Sequence, residues 1–290
     1  MGIPAEMDRD GIVARVAAHP LGRDPEEMRA AFRRLVLGGC GRPDDGPLAF
    51  HPLEPDPALA PIVWFHGGGY VFGGPDTHAR IGRYLCEHHG FVVHMPRVPL
   101  APEHGWPAQR EAALDAAAAA RSAGRAPILA GDSAGGHLVL SAALALARAG
   151  TPAAALLLCS PNTERSGLST TREANAARDP MVDPDEDERL ARMALGRRAR
   201  DDVEASPLLD DLSLLPPTWI EAGSEEVLLD DARLLAKRAR EAGVDVELVV
   251  TPGLLHMAQV WVGHWDAADA SLDRAAAFAR RNGRAADAGA

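Results

Sequence analysis

The stretch PILAGDSAGGHLVL (residues 127–140) places Ser133 between two apolar runs, with Gly131 and Gly135 two positions to either side. An ordinary turn would accept Asn, Asp or Pro. Small residues on both flanks of one serine call for a turn so tight that larger side chains would strike the adjoining elements. PILA reads as a strand and HLVLSAALALARAG as a helix, so the chain turns sharply from strand to helix and leaves the serine hydroxyl at the edge of a sheet. The helix N-terminus also directs backbone N–H groups toward any anion formed beside Ser133. A plain glycine-rich turn is the bland alternative. A phosphate-binding loop fits less well, because no Lys-Ser/Thr pair follows and the G-x-G-x-x-G spacing is missing.

Apolar runs recur on both sides of this turn and alternate with helical patterns. Strands are expected at 62–65, 91–95, 128–130, 155–159, 218–222 and 246–250, with a short one near 48–51. Helical stretches lie near 77–89, 107–123, 134–149, 228–242 and 266–281. Such alternation predicts an α/β chain whose mostly parallel central sheet is flanked by helices on both faces. Residues 1–39 read as one or two amphipathic helices. Asp24 is a suitable N-cap, Pro25 sits at the first helical position, and Met28, Ala31, Phe32 and Leu35 share a face. Residues 40–61 are rich in Pro and Gly and read as loop. Residues 161–215 interrupt the alternation, are polar, hold a helix near 186–195, and read as an insertion over the sheet's carboxyl end, where open α/β sheets bind ligands.

Composition narrows the partners. The 290 residues carry a formal charge of −11, which argues against nucleic acid and anionic membranes. No apolar run reaches the length of a membrane span. The N-terminus MGIPAEMDRDG has neither a basic region nor an apolar one, and Glu6 stands where an N-myristoylation signal wants Ser or Thr. A cytoplasmic protein is therefore expected. Cys40, Cys86 and Cys159 lie far apart with no C-x-x-C, which fits reduced thiols.

A second glycine-rich turn, His66-Gly67-Gly68-Gly69-Tyr70, ends the strand VWF. Successive glycines let backbone N–H groups converge on one point, as an oxyanion hole requires, so the N–H groups of Gly68, Gly69 and Ala134 form one candidate set. His66 precedes the loop and reads as a brace for it. A serine nucleophile needs a base, and the base an orienting carboxylate. Among eleven histidines, His256 follows the strand at 246–250 through TPGLLH, on the same side of the sheet as Ser133. The strand TWIEAG runs into Ser224-Glu225-Glu226 on that side, and either glutamate is a candidate acid or a simple partner for the next helix. Chain order Ser…Glu…His is that of α/β-hydrolases. Cys86, His88 and His89 sit together, but no further ligand spacing and no H-E-x-x-H appears, so neither a metal nor a cofactor is expected.

With these motifs in place, the chain resembles the bacterial hormone-sensitive-lipase family of α/β-hydrolase esterases. The resemblance rests on HGGGYVFG (66–73), LAPEH (100–104), GDSAGG (131–136), residues 205–232 and the PG-x-x-H ending at His256. It implies a single α/β-hydrolase domain over 1–290, with a catalytic core at about 40–160 and 205–290 and a helical cap from about 1–39 and 161–204. It implies a carboxylesterase that acts on a small to medium acyl ester through Ser133, Glu226 and His256. An amidase, deacetylase or secondary-metabolite tailoring hydrolase with the same residues is the alternative, and a non-catalytic ligand-binding protein a remote one. The family's acid is usually Asp in an Asp-Pro-Leu-x-Asp-Glu segment. Here the segment begins at Glu226, which selects it over Glu225 and requires its loop to retreat by about one methylene. A homodimer through the last strand and helix is implied by the resemblance alone.

Departures from the family bear on the substrate. Val98-Pro99 replaces a Tyr-Arg pair, and Ser160-Pro161-Asn162-Thr163-Glu164 replaces Ser-Pro-Trp-x-Asp. The segment before HGGG is shorter by roughly ten residues, enough to remove an edge strand. With two tyrosines in the chain, the pocket is expected to be less aromatic than usual. Its candidate residues are Tyr70, Phe72, Met181 and Trp261.

Overall fold

The computed structural model describes residues 3–38, 46–121 and 125–284. In chain order the elements are α1 (Arg9–Ala18), α2 (Pro25–Leu37), β1 (Leu48–Phe50), β2 (Ile62–Phe65), α3 (Pro75–His89), β3 (Val93–Met95), α4 (Ala108–Ala120) and β4 (Ile128–Asp132). They continue with α5 (Ala134–Arg148), β5 (Leu156–Cys159), α6 (Thr171–Ala174), α7 (Pro184–Leu195), β6 (Thr218–Gly223), α8 (Leu229–Glu241), β7 (Val246–Thr251) and α9 (Asp266–Asn282). Each expected strand and long helix is present, with ends that differ by a few residues. Residues 122–123 of the expected helix at 107–123, and Cys40, lie outside the described residues.

The strands form one sheet in the order β1-β3-β2-β4-β5-β6-β7, parallel throughout except for β1, which pairs antiparallel to β3. Strands β2, β4, β5 and β6 are buried along their whole length, as expected where helices cover both faces. Among the described residues β1 is the edge of the sheet on its side.

This order fixes where a site can form. The chain leaves β2 toward β3 on one side and returns to β4 on the other, so the loops at the carboxyl ends of β2 and β4 diverge and leave a crevice between them. Phe65 at the end of β2 is in register with Gly131 in β4. The two glycine-rich turns of the sequence therefore meet at the switch point.

Helix α2 forms as its sequence directs. Asp24 accepts hydrogen bonds from the N–H groups of Glu26 and Glu27, Pro25 opens the helix, and Met28, Ala31, Phe32, Leu35 and Val36 are buried. Arg29 fastens α2 to the core. Its guanidinium donates to the carbonyls of Val71 and Ala101 and pairs bidentately with Glu103 of the LAPEH segment. In the region between β5 and β6, α7 is capped by Asp183. The single turn α6 was not expected, because its polar sequence shows no apolar period.

Candidate active site

Ser133 lies between β4 and α5 with φ 53° and ψ −119°, left-handed backbone that a serine adopts only under constraint. The constraint is visible. Its N–H donates to the carbonyl of Cys159, and its carbonyl accepts from the N–H groups of His137 and Asn162. A Cβ on Gly135 would stand 2.1 Å from the carbonyl oxygen of Phe65, and one on Gly131 would stand 2.7 Å from the Gly135 carbonyl. The small residues flanking the serine thus let β2, β4 and α5 approach backbone to backbone.

The loop after β2 is braced from below by Asp132, a fully buried carboxylate whose role the sequence did not reveal. It accepts from Trp64 Nε1 at 2.9 Å, the N–H of Gly67 at 3.1 Å and His78 Nε2 at 3.2 Å. Burial opposes its charge, but His78 and the bonds from His78 and Trp64 outweigh burial and hold its pKa below the usual value. Gly68 and Gly69 have φ of 110° and 60°. A Cβ on Gly68 would stand 2.3 Å from the Phe72 carbonyl oxygen. Among the described residues the N–H groups of Gly68, Gly69 and Ala134 have no acceptor. His66 donates through Nδ1 to the Gly67 carbonyl at 2.9 Å. Burial pushes its pKa down to about 4, so it is neutral where an enzyme works, as suits a brace.

His256 lies beyond β7 and is 3% exposed. Its Nδ1 donates to Oε2 of Glu226 at 2.9 Å. The other carboxylate oxygen accepts from the Ser160 hydroxyl at 2.8 Å and from the N–H of Gly223. Ser160, at the end of β5, holds φ 47°, a second constrained serine at the sheet's carboxyl end. Burial disfavours protonation of His256. The hydrogen bond and charge of Glu226, with the charges of Asp179 and Asp132, prevail and raise its pKa above the ordinary value. Glu225 points elsewhere and pairs with Arg9 at 2.7 Å and Arg178 at 3.0 Å.

Ser133, His256, Gly68 and Gly69 line one cavity of about 160 Å³. Its walls come from α1, α2 and the segment around α7, including Phe32, Met181 and Leu190. Among the described residues neither the Ser133 hydroxyl nor Nε2 of His256 has a hydrogen-bond partner; such contacts commonly tighten only when substrate is bound. Of the expected pocket residues, Phe72 and Met181 line the cavity. Tyr70 and Trp261 do not. The Tyr70 hydroxyl is hydrogen-bonded to His137 Nδ1 at 2.7 Å against Trp106, and Trp261 is fully buried core. Both follow catalytic motifs in sequence, but their side chains turn inward because burial of a large aromatic outweighs exposure in a small cavity. His88 stacks on Tyr84, and His89 bonds Asp273 on α9.

The model of the α/β-hydrolase-fold family matches residues 62–260. The chain belongs to that family, in its bacterial hormone-sensitive-lipase branch. A solved esterase of the bacterial hormone-sensitive lipase family superposes with a TM-score of 0.81 at 30% identity, over 97% of this chain and 99% of that one. An acetyl-hydrolase of Streptomyces hygroscopicus is 36% identical over 70% of this chain and 68% of its own length. A carboxylesterase of Mycobacterium tuberculosis is 33% identical over 85% of this chain and 82% of its own. Among the described residues of this family member, no helix is long and apolar enough to cross a membrane.

Proposed function

We propose that this α/β hydrolase cleaves carboxylic esters through a covalent acyl-enzyme formed on Ser133. The observation that carries the reading is the buried His256–Glu226 pair opening onto the same small cavity as a serine held at φ 53°. His256 Nε2 takes the proton of Ser133 as Oγ attacks the ester carbonyl. Glu226 holds the ring in the Nδ1–H tautomer and stabilises the imidazolium. The N–H groups of Gly68, Gly69 and Ala134 receive the oxyanion. His256 then protonates the departing alcohol and activates the water that deacylates Ser133. The names of the relatives, acetyl-hydrolase and carboxylesterase, support ester chemistry with a short acyl group.

A cavity of about 160 Å³ is small beside pockets for drug-sized ligands, which span roughly 300–1,000 Å³. In a p-nitrophenyl ester series from acetate to decanoate, kcat/KM should peak among the short acyl groups and fall steeply for the long ones. A flat profile out to decanoate would show that the walls from α1, α2 and α7 do not limit the acyl group. If the series is inert yet a serine-directed phosphonate labels Ser133, the substrate is an amide or a dedicated metabolite. We place the protein in the cytoplasm, with residues 1–39 and 161–204 as the cap over a core of 40–160 and 205–290. The outer edge of β7, open among the described residues, is where a second copy would pair.

The pH profile follows from His256. The base must be neutral, and its pKa is raised, so kcat/KM should decline on the acid side through a limb above the ordinary 6.5. Glu226→Gln removes the bond and the charge that raise it. The limb should move to lower pH while kcat falls by about 10³–10⁴-fold. A limb unmoved by that substitution would assign the base to another histidine.

A further inference from the structure

The region between β5 and β6 does more than wall the cavity: it grips the loop that carries Glu226. Asn175 Nδ2 donates to the Glu226 carbonyl at 2.9 Å. Oδ2 of Asp179 accepts from the Val227 N–H at 2.9 Å. The Thr171 hydroxyl donates to the Val227 carbonyl at 3.0 Å and accepts from the Asp230 N–H at 2.9 Å. All three side chains are more than nine-tenths buried. They recur every four residues, on one face of α6 and the turn that continues it, where the N–H groups of Asn175 and Asp179 reach back to Thr171 and Asn175.

The same Asp179 has a second hand. Its Oδ1 accepts from the N–H groups of Met181 at 2.8 Å and Val182 at 3.1 Å, and both residues line the cavity beside Ser133. One carboxylate therefore joins the backbone of the acid loop to the wall that meets the acyl group.

We propose that Thr171, Asn175 and Asp179 are positioning residues that splint the Glu226 loop to the cavity wall, setting the reach of Glu226 to His256. The proposal rests on the reading of Ser133, His256 and Glu226 given above. A glutamate has one more rotor than an aspartate, so a loop free to shift would lose the Nδ1 bond more readily. Ser160 and Gly223 hold the carboxylate itself, and the splint holds the peptide groups from which it hangs.

Thr171→Val and Asn175→Ala test this, singly and together, with Asn175→Ser as a milder third variant. The charges that act most strongly on His256 are those of Glu226, Asp179 and Asp132, from three different elements, and Asp183, Glu186 and Asp187 of the segment around α7 line the same cavity. None of these substitutions alters one, so any displacement of the acid limb reports geometry. We expect kcat on p-nitrophenyl acetate to fall by about 10–10²-fold with KM little changed, because small misplacements of catalytic groups are costly. The acid limb should move down toward the ordinary histidine value as the Glu226–His256 bond loosens. Rates are referred to the folded fraction measured by circular dichroism, so that lost protein is not counted as lost catalysis. Folded variants with kcat within about twofold of wild type and an unmoved limb would overturn the splint. Failure of the underlying reading looks different: wild type would be no more active than Ser133→Ala and would resist the phosphonate.

Discussion

Replacing Ser133 with alanine is expected to lower kcat on p-nitrophenyl acetate by about 10⁶-fold, the loss seen when a serine nucleophile is removed and only the binding site and oxyanion donors remain. Stability should barely move. The hydroxyl has no hydrogen-bond partner among the described residues, and alanine meets the same backbone penalty at φ 53° that serine already bears. Thermal melting of the two proteins checks this half of the expectation, and steady-state rates the other. Ser133→Gly sharpens the test: it should be equally inactive yet more stable by about 1 kcal/mol, because glycine adopts positive φ without strain. A mutant that keeps more than a small fraction of wild-type activity would place the nucleophile elsewhere. A large fall in melting temperature would mean that Ser133 is a structural residue.

Gly135→Ala carries the largest expected effect on stability. The added Cβ would lie 2.1 Å from the Phe65 carbonyl oxygen and 2.9 Å from that of His66. Both belong to the end of β2 and the loop beyond it, in the middle of the sheet, and no flexible side chain can give way. Either α5 or β2 must move, and both are buried. We expect a loss of at least about 4 kcal/mol, a large share of the roughly 5–15 kcal/mol that holds a domain together. Little soluble protein, or a melting temperature lower by about 10 °C or more, is the expected result. Gly150→Ala is the control. Unlike Gly135, which is helical, it has positive φ, at 73°, but a Cβ there meets nothing within 4 Å, so it should cost only about 1–2 kcal/mol from the backbone. If the two variants melt alike, the glycines around Ser133 are not there for close approach.

The legible parts of this protein are those set by local pattern. Strand β4 and helix α5 announce themselves through an apolar run and a helical period, and the glycines between them through size. Asp24-Pro25 starts α2 because capping chemistry acts within one turn. Chain order and side of the sheet were enough to single out His256 and the Glu225-Glu226 pair, since successive parallel strands deliver their loops to one end. The illegible parts depend on which side chains meet across the chain. Tyr70 and Trp261 are candidate pocket residues by sequence, yet both turn into the core. Asp132 stands inside the GDSAG motif, but nothing local says that it supports Gly67, 65 residues away in sequence. Thr171, Asn175 and Asp179 left one faint signal, a four-residue spacing in a polar stretch, which has no meaning until the partner loop is known.

By itself the sequence determined the order of strands and helices, the tight turn around Ser133 and the glycine loop after β2, because propensity, periodicity and steric size act between near neighbours. Local chemistry does not separate Glu226 from Glu225; the family resemblance selects Glu226, and the tertiary structure shows the contact with His256 behind that choice. Only the tertiary structure decided that the cavity holds about 160 Å³ and that the region between β5 and β6 grips the Glu226 loop. Adjacent glutamates have the same local chemistry. What separates them is burial: Glu226 is 1% exposed, bonded to Ser160 and Gly223, whereas Glu225 reaches out to Arg9 and Arg178. A buried carboxylate persists only where several donors converge on it, and that convergence is a property of the folded chain.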